Sequence, residues 1–205
     1  MDDPEPEPPK ETLSREEIRL LADIATRPLS TTVSRFQRLN LSRRRGNAMR
    51  QHLADAGIIE AVPLATRSGQ VVLNQLTDHG RTTCESVGMD PGPVPRASLE
   101  HQYWVMKVAE QFEKKGYETT LEHPVPGDGT IDLLAERPGE RIAIEVETGK
   151  SDIKENLAKL QSAGFDRVVF VATSPAAVTA CHKAFSSESL GVSGRLEIMT
   201  WLDLG

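Results

Sequence analysis

The stretch from Asp132 to Lys150, DLLAERPGERIAIEVETGK, sets acids and a lysine into otherwise apolar strand sequence. Side chains alternate along a strand, so Ile142, Ile144 and Val146 share one face while Ala143, Glu145 and Glu147 share the other. Asp132 stands on the preceding apolar run, Thr130 to Glu136, and a hairpin brings it to Glu145 and Glu147 beside Lys150. Carboxylates buried together are costly unless something offsets their charge, and a divalent cation does so. Mg²⁺ takes oxygen ligands, and in phosphodiester hydrolysis such a cation activates water and neutralises developing charge. Asp132 and Glu145 are the expected Mg²⁺ (or Mn²⁺) ligands, Glu147 a further ligand or general base, and Lys150 the group that steadies water or phosphate. Glu100, His101, Gln102 and Gln161 are expected to support the site from neighbouring helices. The competing reading puts Glu145 and Glu147 on an exposed face, paired with Arg141 and Lys150, where ion pairs contribute little.

Elements that would position these groups follow from period and punctuation. Ser98 caps a long helix running to about Lys115, in which Leu99, Tyr103, Met106, Val108, Ala109 and Phe112 are largely apolar and which Gly116 closes. Tyr117 to Glu122 reads as a strand, and Pro124 to Gly129 as a loop in which Gly127-Asp-Gly129 forms a turn. After the hairpin, Ser151 caps a helix carrying Ile153, Leu157 and Leu160, and its first amides are expected to hold a phosphate oxygen. Arg167 to Ala172 is a continuous apolar run, as in a strand buried on both faces. A helix from about Ala176 to Phe185 and a strand from Leu196 to Trp201 complete an α-β-β-β-α-β-α-β order.

The N-terminal half is organised differently. Met1 to Glu11 is acidic and Pro-rich and is expected to be disordered. Ser14 with Glu17 forms a capping-box pattern ahead of Ile18, Leu21, Ile24 and Ala25. Ser30 is expected to cap a short helix carrying Val33 and Phe36, and Ser42 a third helix from Arg43 to about Ala56 that Gly57 stops. Ile58–Leu64 and Gln70–Leu73 read as strands about an Arg67–Gly69 turn, and a fourth helix opens after Leu76-Thr77. Val87 to Arg96, with Gly88, Pro91, Gly92, Pro93 and Pro95, is a stiff linker. The expected domains are therefore 12–88 and 98–205, joined through 89–97.

Charge is spread unevenly over the 205 residues, which carry a net −6. Residues 1–11 hold −4, residues 12–95 hold +3 with eleven arginines and no lysine, and residues 96–205 hold −5. Local charge decides which surface meets a phosphate backbone. Arg43, Arg44, Arg45, Asn47 and Arg50 open and line the third helix, and Arg67 marks the hairpin turn. Arginine suits both phosphate contacts and guanine readout. No apolar run approaches the ~20 residues that span a bilayer, and the N-terminus has no secretory pattern, so no membrane partner and a cytoplasmic location are expected. Cys84 and Cys181 read as buried thiols, and the five histidines follow no zinc spacing.

Three helices, a hairpin and a closing helix, with LADAGIIE before the hairpin and Leu-Thr-x-x-Gly-Arg after it, make residues 13–88 resemble a winged helix-turn-helix domain. That resemblance implies DNA as partner, with the third helix in the major groove. Residues 97–202 resemble the PD-(D/E)xK nuclease-like superfamily, of restriction-endonuclease-like fold, with Asp132 and Glu145 at the acidic motif positions and Glu147 where lysine is usual. The resemblance implies an α/β fold with a mixed central sheet and a metal-dependent deoxyribonuclease. Three functions fit: such an endonuclease, acting as a homodimer where both strands are cut; a non-catalytic DNA-binding regulator; and an accessory module of a DNA-translocating ATPase. The last rests on a likeness of the tandem, with its IEVETGKSD segment, to the C-terminal part of large conjugation-type ATPases.

Overall fold

Ser14 opens the first helix by a complete capping box: its hydroxyl receives the Glu17 amide, and Glu17 Oε2 takes the Ser14 amide at 2.8 Å. The computed structural model describes residues 13–126, 129–149, 151–161, 164–187 and 195–204, so the acidic tail and the Gly127-Asp128 turn lie outside the described residues. The chain divides into two compact units, Met1–Ala61 with Leu73–Val94, and Val62–Val72 with Pro95–Gly205.

The first unit holds α1 (Arg15–Thr26), α2 (Thr32–Arg38), α3 (Arg43–Asp55) and α4 (Asp78–Ser86), with the outer ends of a two-stranded sheet, β1 (Ile59–Thr66) and β2 (Gly69–Leu76), whose Val62–Val72 falls in the second unit. Leu20, Leu21, Ile24, Phe36, Met49, Leu53, Ile58, Ile59 and Cys84 form its core. One expectation needs correction: Thr31, not Ser30, caps α2, because the Ser30 hydroxyl accepts from Arg38 Nη2 at 2.9 Å. Phe36 is buried in the core, whereas Val33 is 50% exposed. Gly46 lets α3 approach α2: a Cβ there would stand 2.6 Å from the Phe36 ring. Beneath these helices the buried Asp23 gathers arginines. Arg38 Nε and Nη2 donate to its two oxygens at 2.7 and 2.8 Å, and Arg35 Nη1 donates to Oδ1. Arg35 is fully buried and also donates to the Arg27 carbonyl at 2.9 Å.

The second unit begins with α5 (Leu99–Lys114), capped by Ser98, and continues through β3 (Glu118–Val125), β4 (Gly129–Arg137), β5 (Glu140–Glu147), α6 (Ile153–Gln161), β6 (Arg167–Ala172), α7 (Pro175–Ser187) and β7 (Leu196–Thr200). The strands form one sheet in the order β3-β4-β5-β6-β7, antiparallel across β3, β4 and β5 and parallel across β5, β6 and β7. This is the expected α/β class with a mixed central sheet and the α-β-β-β-α-β order of a restriction-endonuclease-like core. β3 runs three residues past its expected end, through Pro124, which an edge strand accommodates because its missing amide breaks no central ladder. On α5 Met106 is 39% exposed.

α6 and α7 cover one sheet face: Ala143, Val168, Phe170 and Ala172 pack with Ile153, Leu157, Leu160, Ala177 and Cys181. α5 packs on β3, β4 and β5. β6 is buried from Val168 to Ala172, as a strand covered on both faces must be. No helix among the described residues is long and apolar enough to cross a membrane.

Candidate active site

Where β4 and β5 part, the site begins. Their ladder runs from Arg137↔Glu140 to Leu133↔Ile144 and stops there. Two residues further along β5, the Val146 amide turns to the Asp132 side chain, donating to Oδ2 at 2.8 Å. On the other flank, Leu121↔Leu133 and His123↔Ile131 pair, but Glu122, which faces Asp132, takes a left-handed φ of 48°. Ile131 and Leu134, three residues apart, join the same core cluster, so strict alternation is interrupted at Asp132. That interruption places Asp132 within reach of α5, where His101 Nε2 lies 3.1 Å from Oδ2.

Glu145 and Glu147 follow the alternation of β5 to the α6 side and are 3% and 0% exposed, so the exposed-face reading does not hold. Burial, and then the nearby Asp132 charge, push the Glu145 pKa up to about 8. Burial also raises that of Glu147, with Asn156 and Ser151 offsetting part of it. For Asp132 burial works the same way, but His101 and the Val146 amide outweigh it and hold the carboxyl below its usual value. His101 is raised in turn, chiefly by its contact with Asp132. This opposed pair, one carboxyl held ionised and one held protonated, is the pattern from which acid and base roles are assigned.

The cation of this cluster is Lys159, which the sequence reading missed. Its Nζ stands 2.9 Å from Glu145 Oε1 and donates to the Thr130 carbonyl at 2.6 Å and to Asn156 Oδ1 at 3.2 Å. Asn156 in turn donates to Glu147 Oε1 at 3.2 Å. Glu147 Oε2 is buried with no hydrogen bond of ordinary geometry among the described residues. Asn156 stands three residues after Ile153 and four before Leu160, on the inward stripe of α6. A polar residue on an apolar stripe requires a partner, and that signal pointed to this helix.

Other expected residues fare variously. Lys150 lies outside the described residues, as does the side chain of Gln161. Gln102 gives its amide to the Ala97 carbonyl at 2.8 Å, and Glu100 forms no hydrogen bond or ion pair with the acidic cluster among the described residues. At the start of α6, Asp152 rather than Ser151 serves as the cap. Its Oδ1 accepts from the Lys154 and Glu155 amides at 3.0 and 3.2 Å, so these amides are not open to a phosphate. Arg43, Arg44 and Asn47 are exposed at the head of α3, Arg67 is exposed at the hairpin turn, and Arg50 is half-buried. Arg45 is exposed but pairs with Glu16. Cys84 and Cys181 are buried and unbridged.

An all-oxygen donor set fits a hard cation: Asp132 and Glu145 supply two carboxylates, and Glu147 Oε2 adds a buried oxygen without an ordinary bond. Among the described residues no group of three His, Cys, Asp or Glu side chains forms a ready-made metal cage.

No protein-family model matches the chain, and no curated protein matches it. Two solved structures are similar to it. A crystallised protein of unknown function is 23% identical over 48% of this chain, at a TM-score of 0.33. A repair endonuclease from Pyrococcus abyssi is 12% identical over 70% of this chain, at a TM-score of 0.31. The matches span 58% and 62% of the lengths of those two proteins.

Proposed function

We propose that this protein binds DNA through its first unit, used as a winged helix-turn-helix, and hydrolyses DNA phosphodiester bonds at the Asp132–Glu145 cluster with Mg²⁺ or Mn²⁺. The observation that carries this reading is Lys159 at 2.9 Å from Glu145. Glu147 occupies the motif position where lysine is usual, and a lysine from α6 supplies the charge at the same carboxylate.

Asp132 and Glu145 would hold the cation, which when bound neutralises phosphate charge and lowers the pKa of an attacking water. His101 and the Val146 amide fix the Asp132 carboxylate from two sides. Lys159 orients the scissile phosphate or the water as a fixed donor, and Asn156 holds Lys159 and Glu147 in register. Glu147, whose pKa is raised by burial, is suited to take a proton from the attacking water. Exposed Arg43 and Arg44 on α3 and Arg67 on the hairpin supply the phosphate contacts.

A second reading, a DNA-binding protein without catalysis, draws support from one observation. His101 and Lys159 already compensate Asp132 and Glu145, as in a structural ion-pair cluster. One experiment separates the two. Purified protein and a Glu145→Ala variant are incubated with supercoiled, linear, branched and single-stranded DNA in Mg²⁺ and in Mn²⁺. Metal-dependent cutting that the variant lacks sustains the nuclease. Equal DNA binding by both proteins without cutting sinks it.

A further inference from the structure

We propose that Gly129 is a positioning residue for Lys159: its missing side chain is the saddle over which the lysine stem reaches Glu145. A Cβ on Gly129 would stand 2.8 Å from Lys159 Cδ, 3.3 Å from its Cγ and 3.2 Å from Val125 Cγ2. Non-bonded carbons settle at about 3.5–4.0 Å, so the first of these approaches is a clash. The backbone does not itself demand glycine here, because Gly129 lies outside the left-handed region that Gly139 and Gly149 occupy. What the position requires is space.

Leu157 and Leu160 seat α6 on the sheet, which fixes the Lys159 backbone. The stem then crosses the first residue of β4, and its ammonium lands on the carbonyl of the next residue, Thr130, before meeting Glu145. A methyl group at 129 moves Cδ, and the ammonium moves with it. Because the stem is flexible, relief comes from a change of rotamer rather than from unfolding. The substitution therefore acts on where the charge sits more than on stability. This steric claim stands on the structure alone, and its effect on cleavage rests on the nuclease reading above.

The test compares wild type, Gly129→Ala, Lys159→Ala and the double variant as full chains. Acetylation of Lys159 with acetic anhydride is followed by mass spectrometry, with exposed Lys114 as internal reference. Held by Glu145, the Thr130 carbonyl and Asn156, the Lys159 ammonium is shielded from the reagent, so its release in Gly129→Ala is expected to raise the relative rate at least about threefold. An unchanged rate overturns the proposal, whatever happens to cleavage. If wild type cuts DNA, kcat is expected to fall in Gly129→Ala with KM little changed, and Gly129→Ala is expected to add nothing on top of Lys159→Ala. Additive losses overturn the proposal. If no form cuts DNA, the acetylation rates still decide it, while the nuclease reading falls on its own. Should Gly129→Ala be unstable, the double variant must recover the melting temperature of Lys159→Ala. A double variant as unstable as Gly129→Ala means that the methyl group meets something other than Lys159, and the proposal fails.

Discussion

Lys159 Nζ lies 2.9 Å from Glu145 Oε1 although the two residues belong to different elements, α6 and β5, fourteen positions apart in sequence. Replacing Lys159 by Ala is expected to lower the DNA-cleavage kcat by about 10²-fold, the scale for losing one preorganised donor. Stability at neutral pH should change little, because the Glu145 pKa of about 8 already lets the carboxyl take up a proton when its partner is lost. Single-turnover cleavage beside thermal melting measures both, and a variant that cuts at the wild-type rate removes Lys159 from the site.

Much of the site was legible because period-two alternation is a strong signal. Ile142, Ile144 and Val146 against Ala143, Glu145 and Glu147 gave the faces of β5, and Ala143 alone of the apolar four joins the core under α6 and α7. Asp132 was legible only in part. Its position in β4 follows from pairing, but the break in alternation that offers it to His101 arises from a left-handed residue on a different strand. Lys159 was not legible at all, because its reach depends on how α6 crosses the sheet, and no local periodicity encodes that. In the first unit Ser42 was legible as a cap, whereas Ser30 failed because Arg38 competes for its hydroxyl.

Asp23 is the hinge of stability in the first unit. Burial works to raise its pKa, but Arg38 and Arg35 outweigh this and hold it below its ordinary value of 3.8. A depressed carboxyl stabilises the fold fully above its unfolded pKa, and the contribution is lost as pH falls through the folded one. Asp23→Ala leaves the fully buried Arg35 unpaired and is expected to cost about 3–5 kcal/mol at neutral pH. Urea unfolding at pH 6 and at pH 3 should show the variant's deficit shrinking in acid. A deficit independent of pH would refute the ionic account.

Glu122 adopts φ 48°, a conformation that costs an L-residue energy and that glycine enters freely. Glu122→Gly is expected to stabilise the second unit by about 0.5–1 kcal/mol while keeping the Asp132 geometry, and Glu122→Val to destabilise it by more. Chemical denaturation of the two variants measures both shifts. Equal effects of the same sign would mean that the left-handed turn is not present in solution.

Arg43 and Arg44 are exposed at the head of α3, and neither has an ion pair among the described residues, whereas the neighbouring Arg45 is paired with Glu16. If both contact phosphate, the double alanine variant should flatten the plot of log affinity against log salt by about 2, while Arg45→Ala flattens it less. Fluorescence anisotropy across a salt series decides this. Identical slopes would exclude α3 as the DNA-facing helix.

Because the Val146 amide is held by the Asp132 side chain and not by a neighbouring strand, its hydrogen exchange is governed by a carboxylate, not by fraying of the sheet. In the free protein that single amide is a built-in gauge. Its deuteration rate records whether Asp132 still faces inward, and anything that draws the carboxylate away should accelerate that amide while Ile144, inside the ladder, stays slow.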